Sequence, residues 1–382
     1  MDKPITFGLA RMHVEFGEKR DFLPEFVARL ERMGAQVFLE YGYGSAMGFS
    51  EADYRAIAPK VTFASRTEIY QQDYMLVLRC PLEKDLRLLK PSTCIISMMH
   101  YPTRPVRVEL LRSLGVESIS LDSIKDDVGR RMVENLHSVA WNGLEVAFRV
   151  LQRLYPAPGL ESPSRNPIHV TVMGVGAVGV HAVQAASRYG DVALWRALAG
   201  RGVPGVQVTA IDYDLTYNES VMRDLLGRTD ILVDATQRPD ASKVVIPNQW
   251  IAWMPEHAVL LDLSVDPYSC TPDGPNEVKG IEGMPQGNLD QYVFGPDDPA
   301  FDRVPGCVST QNRRYSVSCY SWPGIHPKEC MRLYGDQIRP LIRTLIEKGG
   351  VQNINSKGKF LERALSRAML SNWISKNGKD GA

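Results

Sequence analysis

The sequence predicts an α/β protein made of two successive parallel-sheet units. Three observations carry this. Short apolar runs alternate with amphipathic segments along the first third, the signature of βαβ units. A long helical pattern and a proline-rich stretch then interrupt the alternation. A second alternating stretch follows, opening with a strand, a glycine-rich turn and a helix. A length of 382 residues suits two domains.

In chain order, Ile5–Leu9 reads as a strand. Leu23–Met33 has helical apolar spacing and stops at Gly34, and Gln36–Glu40 is a second strand. Tyr74–Leu78, Cys94–Met98 and Ser118–Leu121 are further strands, with Val106–Leu114 a helix ahead of Gly115. From Val128 to Leu154 the pattern is one long helix, with Leu136, Ala140, Leu144 and Phe148 on one face. Tyr155–Pro167, with five residues of Pro or Gly in it, is a loop and an exit into the second unit. There His169–Val172, Gln207–Ile211, Ile231–Val233 and Val259–Leu263 read as strands. Asp273–Phe301 reads as a turn-rich surface excursion, 328–346 as a helix, and the last dozen residues as a frayed polar end.

Forty-four basic residues balance forty-four acidic ones. A dedicated nucleic-acid binder would carry a basic excess, and the six tryptophans do not interleave with basic runs. No apolar run reaches the roughly 18 residues of a membrane span, and the N-terminus lacks the apolar core of a signal peptide. Cys80, Cys94, Cys270, Cys307, Cys319 and Cys330 form no CxxC pair, so no metal site and no redox pair is expected. A reduced, cytoplasmic protein is the simplest expectation.

Val170-Thr-Val-Met-Gly174-Val-Gly176-Ala177-Val178-Gly179 has the G-x-G-x-x-G spacing between a strand and a helix. The first glycine suits a tight turn, the second close approach of a pyrophosphate, the third helix–strand packing. The helix start, at Ala177 and Val178, offers N–H groups to phosphate. The next strand ends at Asp212, whose carboxylate suits the ribose hydroxyls of NAD and repels a 2′-phosphate. NAD is therefore the expected cofactor. Gly179 and Asp212 are 33 positions apart, against roughly 20 in the usual pattern. The surplus reads as an insertion in Gly190–Gly205, with Val192–Leu198 an extra helix. The alternative is a glycine turn that holds no ligand.

Several further motifs fall in a recognisable order. They are Gly48-Phe-Ser-Glu-Ala-Asp-Tyr54, Leu76-Val-Leu-Arg79-Cys-Pro81, Ile95-Ile-Ser-Met-Met-His100, Val259-Leu-Leu-Asp262-Leu-Ser-Val-Asp266 and Trp322-Pro-Gly-Ile-His-Pro327. Together with the glycine turn, the set resembles the superfamily of alanine dehydrogenase and lysine-forming saccharopine dehydrogenase. That superfamily also contains the soluble part of proton-translocating transhydrogenase. Asp126-Asp-Val-Gly129-Arg130-Arg131 is similar to the saccharopine dehydrogenase side.

The resemblance implies two Rossmann-like domains. The NAD domain, 141–321, is inserted between an N-terminal domain and a C-terminal segment that returns to it, 1–140 plus 322–382. It implies an oxidoreductase acting on the CH–NH bond of an amino acid, with an amino acid or 2-oxo acid as substrate and transfer in an interdomain cleft. Homo-oligomers and monomers both occur among such enzymes, so the assembly stays open.

For the site residues, the resemblance implies His100 as acid/base, at a strand end and with an ordinary pKa suited to neutral pH. Arg79 stands where the family has a lysine thought to be a general base. An arginine keeps its proton and can only grip a carboxylate. Either His100 handles the proton alone, or substrate and reaction have changed. Lys19 or Arg20 matches the arginine that holds the substrate carboxylate, and spacing does not choose between them. Asp122 matches a residue that tunes its neighbours, and Arg130 and Arg131 suit a second carboxylate or solvent. Asp266 matches an aspartate near nicotinamide and substrate, whereas Asp262 reads as structural. Thr236 and Arg238 lie in Asp234-Ala-Thr-Gln-Arg-Pro239, a strand-end loop lining the cofactor. Arg238 there could reach substrate or phosphate. His13, His137, His169, His181 and His257 read as structural, and His326 lies near the domain junction.

Two alternatives remain. A saccharopine- or opine-type secondary-amine dehydrogenase would use Arg130 and Arg131 for a second carboxylate. An NAD-binding sensor or partner subunit would transfer no hydride.

Overall fold

The computed structural model describes residues 4–12, 17–238, 240–270 and 276–377. The chain divides into two compact units, Met1–Asn135 with His326–Ala382, and Leu136–Ile325.

In the first unit, β1 (Thr6–Leu9), β2 (Gln36–Glu40), β3 (Thr62–Ala64), β4 (Tyr74–Arg79), β5 (Cys94–Met98) and β6 (Glu117–Ser120) form one sheet. Its order is β3-β2-β1-β4-β5-β6, and every pairing is parallel. Leu9, Val37, Leu76, Ile95 and Ile119 are buried strand residues of its core. The helix Pro24–Arg32 begins with proline, whose missing N–H costs nothing at a first turn. The helix Pro327–Glu347 returns the chain to this unit and buries Ile338, Leu341 and Leu345.

The second unit holds β7 (Ile168–Met173), β8 (Val206–Ile211), β9 (Ile231–Asp234), β10 (Val259–Asp262), β11 (Val293–Phe294) and β12 (Tyr315–Ser318). Their order is β11-β12-β10-β9-β7-β8. The pairings are parallel except β11 with β12. The helix Leu136–Leu154 lies on this sheet. Gly143 lets it approach closely, because a Cβ there would sit 2.5 Å from a Leu263 methyl. The expected insertion is the helix Val192–Gly200, capped by Asp191.

Four sequence expectations are corrected. The helix read from Val128 begins only at Leu136, because Asp126 Oδ1 accepts the N–H groups of Val128 and Arg130 and closes a turn around left-handed Gly129. The stretch read as a surface excursion buries Val278, Ile281, Met284, Leu289 and Phe294 and contributes β11, while Asp273 lies outside the described residues. The C-terminus is helical through Asn377, with Trp373 packed against Tyr101 at 5.5 Å. Finally, Cys270 and Cys307 form a disulfide, their Cα atoms 6.6 Å apart, where six thiols were expected. Cys80, Cys94, Cys319 and Cys330 are buried and outside that disulfide.

Candidate active site

In the second unit the chain leaves β7 through Gly174 at φ +89°. A Cβ there would lie 2.6 Å from the Ala235 carbonyl oxygen, and one at Gly179 would lie 1.9 Å from that of Gly174. At Gly176 a Cβ would meet no protein atom within 4 Å. The first and third glycines are thus required by the fold, whereas the second leaves backbone open to a ligand. Ala177 and Val178 begin the helix Ala177–Ala186, whose first N–H groups have no partner in the helix.

Gly174, Gly176, Asp212, Thr236 and Arg238 line one cavity of about 950 Å³, in the size range of ligand sites. Ala177, Val178, Gly179 and Asp266 are not in its wall. Asp212 lies just past β8 and accepts the N–H of Tyr213 at 2.9 Å. Thr236 follows β9, with its N–H and hydroxyl donating to Asp234 Oδ1 at 3.0 and 2.6 Å. Asp234 is wholly buried. That burial, with Asp262 nearby, raises its pKa to about 6.

Arg238 donates from Nη2 to Asp266 Oδ2 at 2.7 Å and from Nη1 to the Lys243 carbonyl at 2.6 Å. It thus engages a protein carboxylate while also lining the cavity. Asp266 follows Val265, a β-branched residue at φ +60°. Left-handed backbone at such a residue marks local strain.

In the first unit, neighbouring strand ends carry the candidates. Arg79 ends β4, His100 lies just past β5, and Asp122 lies just past β6. Residues 17–20 follow β1, which pairs with β4. The strand order turns from β1 to β4 there, the place where open α/β sheets bind ligands. Arg20 is 4% exposed and donates from Nε and Nη2 to Glu18 at 2.7 and 2.8 Å. Arg79 Nη1 lies 3.7 Å from Glu18 Oε2. Glu18 escaped sequence reasoning, since nothing in Gly-Glu-Lys-Arg distinguishes a buried carboxylate from a solvated one. Lys19 is half-buried beside this cluster.

His100 is itself left-handed, at φ +52°. Its N–H donates to Asp122 Oδ1 at 3.2 Å, and its Nδ1 lies 3.5 Å from Asp122 Oδ2. Ser120 Oγ donates to the same carboxylate at 2.7 Å. Burial pushes the imidazole below its usual 6.5; Asp122 opposes this, and Arg107, Arg104 and Arg131 add to it. Arg130 and Arg131 are exposed, with no carboxylate in ion-pair reach among the described residues. Among the expected structural histidines, His257 binds Asp230 at 2.7 Å, and His13 lies outside the described residues. The described residues contain no cluster of three metal-ligating side chains and no helix long and apolar enough to cross a membrane.

Residues 15–140 match the family Alanine dehydrogenase/PNT, N-terminal domain. The chain is 22% identical over 263 residues to the alanine dehydrogenase of Mycolicibacterium smegmatis, covering 65% of this chain and 70% of that one. It is 21% identical over 324 residues to that of Geobacillus stearothermophilus, covering 79% and 86%. Among solved structures, an L-alanine dehydrogenase superposes with a TM-score of 0.70 at 16% identity, over 96% of this chain and 94% of the other. A transhydrogenase from Sinorhizobium meliloti gives 0.60 at 17%, over 89% and 94%. The chain is thus similar to alanine dehydrogenases, in its matched N-terminal domain and in its fold. This similarity and the Rossmann-like sheet indicate NAD as the cofactor. The cavity fits that group: open backbone at Gly176, just before the start of the helix, and a carboxylate at Asp212.

Proposed function

We propose that the protein is an NAD-dependent oxidoreductase acting on the CH–NH bond of an amino acid. The observation that carries this reading is the cavity lined by the open backbone of Gly176 and by Asp212, in a chain similar to alanine dehydrogenases. Gly174, Gly176 and the start of the Ala177 helix would hold the pyrophosphate, with Asp212 on the ribose and Thr236 in the wall. Bound NAD supplies the hydride acceptor.

The chain's own residues would do the rest. Arg79 binds the substrate carboxylate, and Glu18 occupies the fork of Arg20 beside it. Lys19 stands beside them. His100 is pushed toward its neutral form and so takes the amine proton through its ring, with Asp122 orienting it. Asp266 lies next to the cofactor wall through Arg238. In the forward direction an amino acid, water and NAD+ become an oxo acid, ammonium, NADH and a proton. The exposure of Arg130 and Arg131, without carboxylate partners, favours a second reading in which the amine carries another carboxylate-bearing group, as in saccharopine.

The experiment is NADH formation from NAD with alanine, lysine, ornithine, arginine, glutamate and saccharopine, and the reverse reaction with oxo acids plus ammonia or amino acids. Turnover with a simple amino acid supports the first reading. A requirement for an oxo acid and an amino acid together supports the second. NAD binding without turnover on any substrate would leave a nucleotide-binding sensor or partner subunit.

A further inference from the structure

Lys279 has its side chain 1% exposed, yet no role proposed above uses it. Desolvating an ammonium is expensive unless its partners are well placed. Here Nζ donates to Asp262 Oδ2 at 2.7 Å and to the backbone carbonyl of Asp266 at 2.9 Å. Asp262 Oδ1 in turn accepts the N–H of Val265 at 2.8 Å and the hydroxyl of Ser264 at 3.0 Å. Ser318 Oγ completes the set on Oδ2 at 3.0 Å. The pair thus grips the loop after β10 at both ends, across the left-handed Val265.

The backbone around Lys279 grips the other loop. The Gly280 carbonyl accepts from Val245 and Ile246 at 2.8 and 2.9 Å, and Val278 N–H donates to Ala241 at 2.9 Å. The Val278 carbonyl accepts from Arg238. A side chain at position 280 is excluded, because a Cβ would sit 2.2 Å from Asp234 Oδ2. Residues 278–281 therefore brace the cavity-lining loop against the loop that carries Asp266.

We infer that Lys279 is a positioning residue, which fixes the Asp266 peptide directly and the start of the loop through Asp262, and so holds the Asp266 carboxylate in register with the cofactor wall. The inference rests on the proposed NAD-dependent reading. Its structural half stands apart from turnover.

The test compares the full-length wild type with K279M, K279R and the double variant K279M/D262N. It uses amide hydrogen exchange, NADH binding by fluorescence, and steady-state kinetics. Selective loosening is expected in K279M, with amides 263–268 exchanging about tenfold faster or more while β7 and β9 keep their protection. The Kd for NADH should rise, kcat should fall more than KM for the amino acid rises, and K279R should recover part of each. If K279M does not fold, the double variant removes both buried charges and should still show the loop-specific loosening. Unchanged exchange at 263–268, or acceleration spread equally over the sheet, overturns the inference. A wild type that binds NADH but turns over no substrate would defeat the dehydrogenase reading, while the exchange and binding results would still decide Lys279.

Discussion

Arg238 and Asp266 are ion-paired at 2.7 Å, although 28 positions separate them and each leaves a different strand of the sheet. The arginine is buried and the carboxylate one-third exposed. One face of the pair lines the cofactor cavity and the other carries the candidate catalytic aspartate. A lysine cannot reproduce the fork that reaches Asp266, Lys243 and Val278 together. R238K should therefore lower kcat/KM by about 10–100-fold, the scale expected when a reacting group is misplaced by about 1 Å. Steady-state kinetics of R238K beside wild type checks this, and unchanged kinetics would show that the pair does not position Asp266.

The glycines of the turn should separate folding from binding. G174A meets the Ala235 carbonyl and a left-handed backbone, so it should lose about 1–3 kcal/mol of stability. G176A meets no protein atom, so it should keep its unfolding midpoint while its Kd for NAD rises. Denaturant unfolding and NADH titration of both variants check the split. Equal loss of stability in the two would contradict it.

This turn was legible in sequence because each glycine has a separate steric reason, and the extra helix at Val192–Gly200 was legible from spacing alone. Strands rich in apolar residues, such as β5 and β9, were found close to their observed bounds. The short strands Thr62–Ala64 and Tyr315–Ser318 were missed, because three or four residues carry too little pattern. The turn before Leu136 was missed because Asp126 competes with the helix through its side chain. Lys279, Glu18 and the Arg238–Asp266 pair were hidden for another reason. A charged residue in a polar stretch shows burial only when long-range folding supplies its partner.

The pH dependence of turnover should track the charges around His100. Its pKa is lowered by burial, with Arg107, Arg104 and Arg131 adding and Asp122 opposing. A base must be neutral to accept a proton, so the acid limb of kcat/KM for amino acid oxidation should lie below 6.5. R131Q removes a positive charge and should move that limb up, whereas D122N removes the opposing carboxylate and should move it down. pH–rate profiles of the three proteins check the signs, and shifts in the reverse directions would contradict the assignment.

Asp234 should make the fold less stable as pH rises. Its folded pKa is about 6 against an ordinary 3.8. Between those values the unfolded chain has lost the proton that the folded chain keeps, so stability falls through this window and levels off above it. The loss is about 3 kcal/mol at most, at 1.36 kcal/mol per unit. D234N should flatten the decline between about pH 4 and pH 6, read from urea midpoints across that range. An unchanged slope would place the titrating group elsewhere.

The most direct test of the account is NAD-coupled oxidation of an amino acid by wild type and H100Q, with NADH affinity measured in parallel. The account predicts turnover in the wild type, a loss of about 10²–10⁴-fold in kcat for H100Q, and the same Kd for NADH in both. Full turnover by H100Q with every active substrate would contradict the role given to His100, and with it the proposed route for the proton.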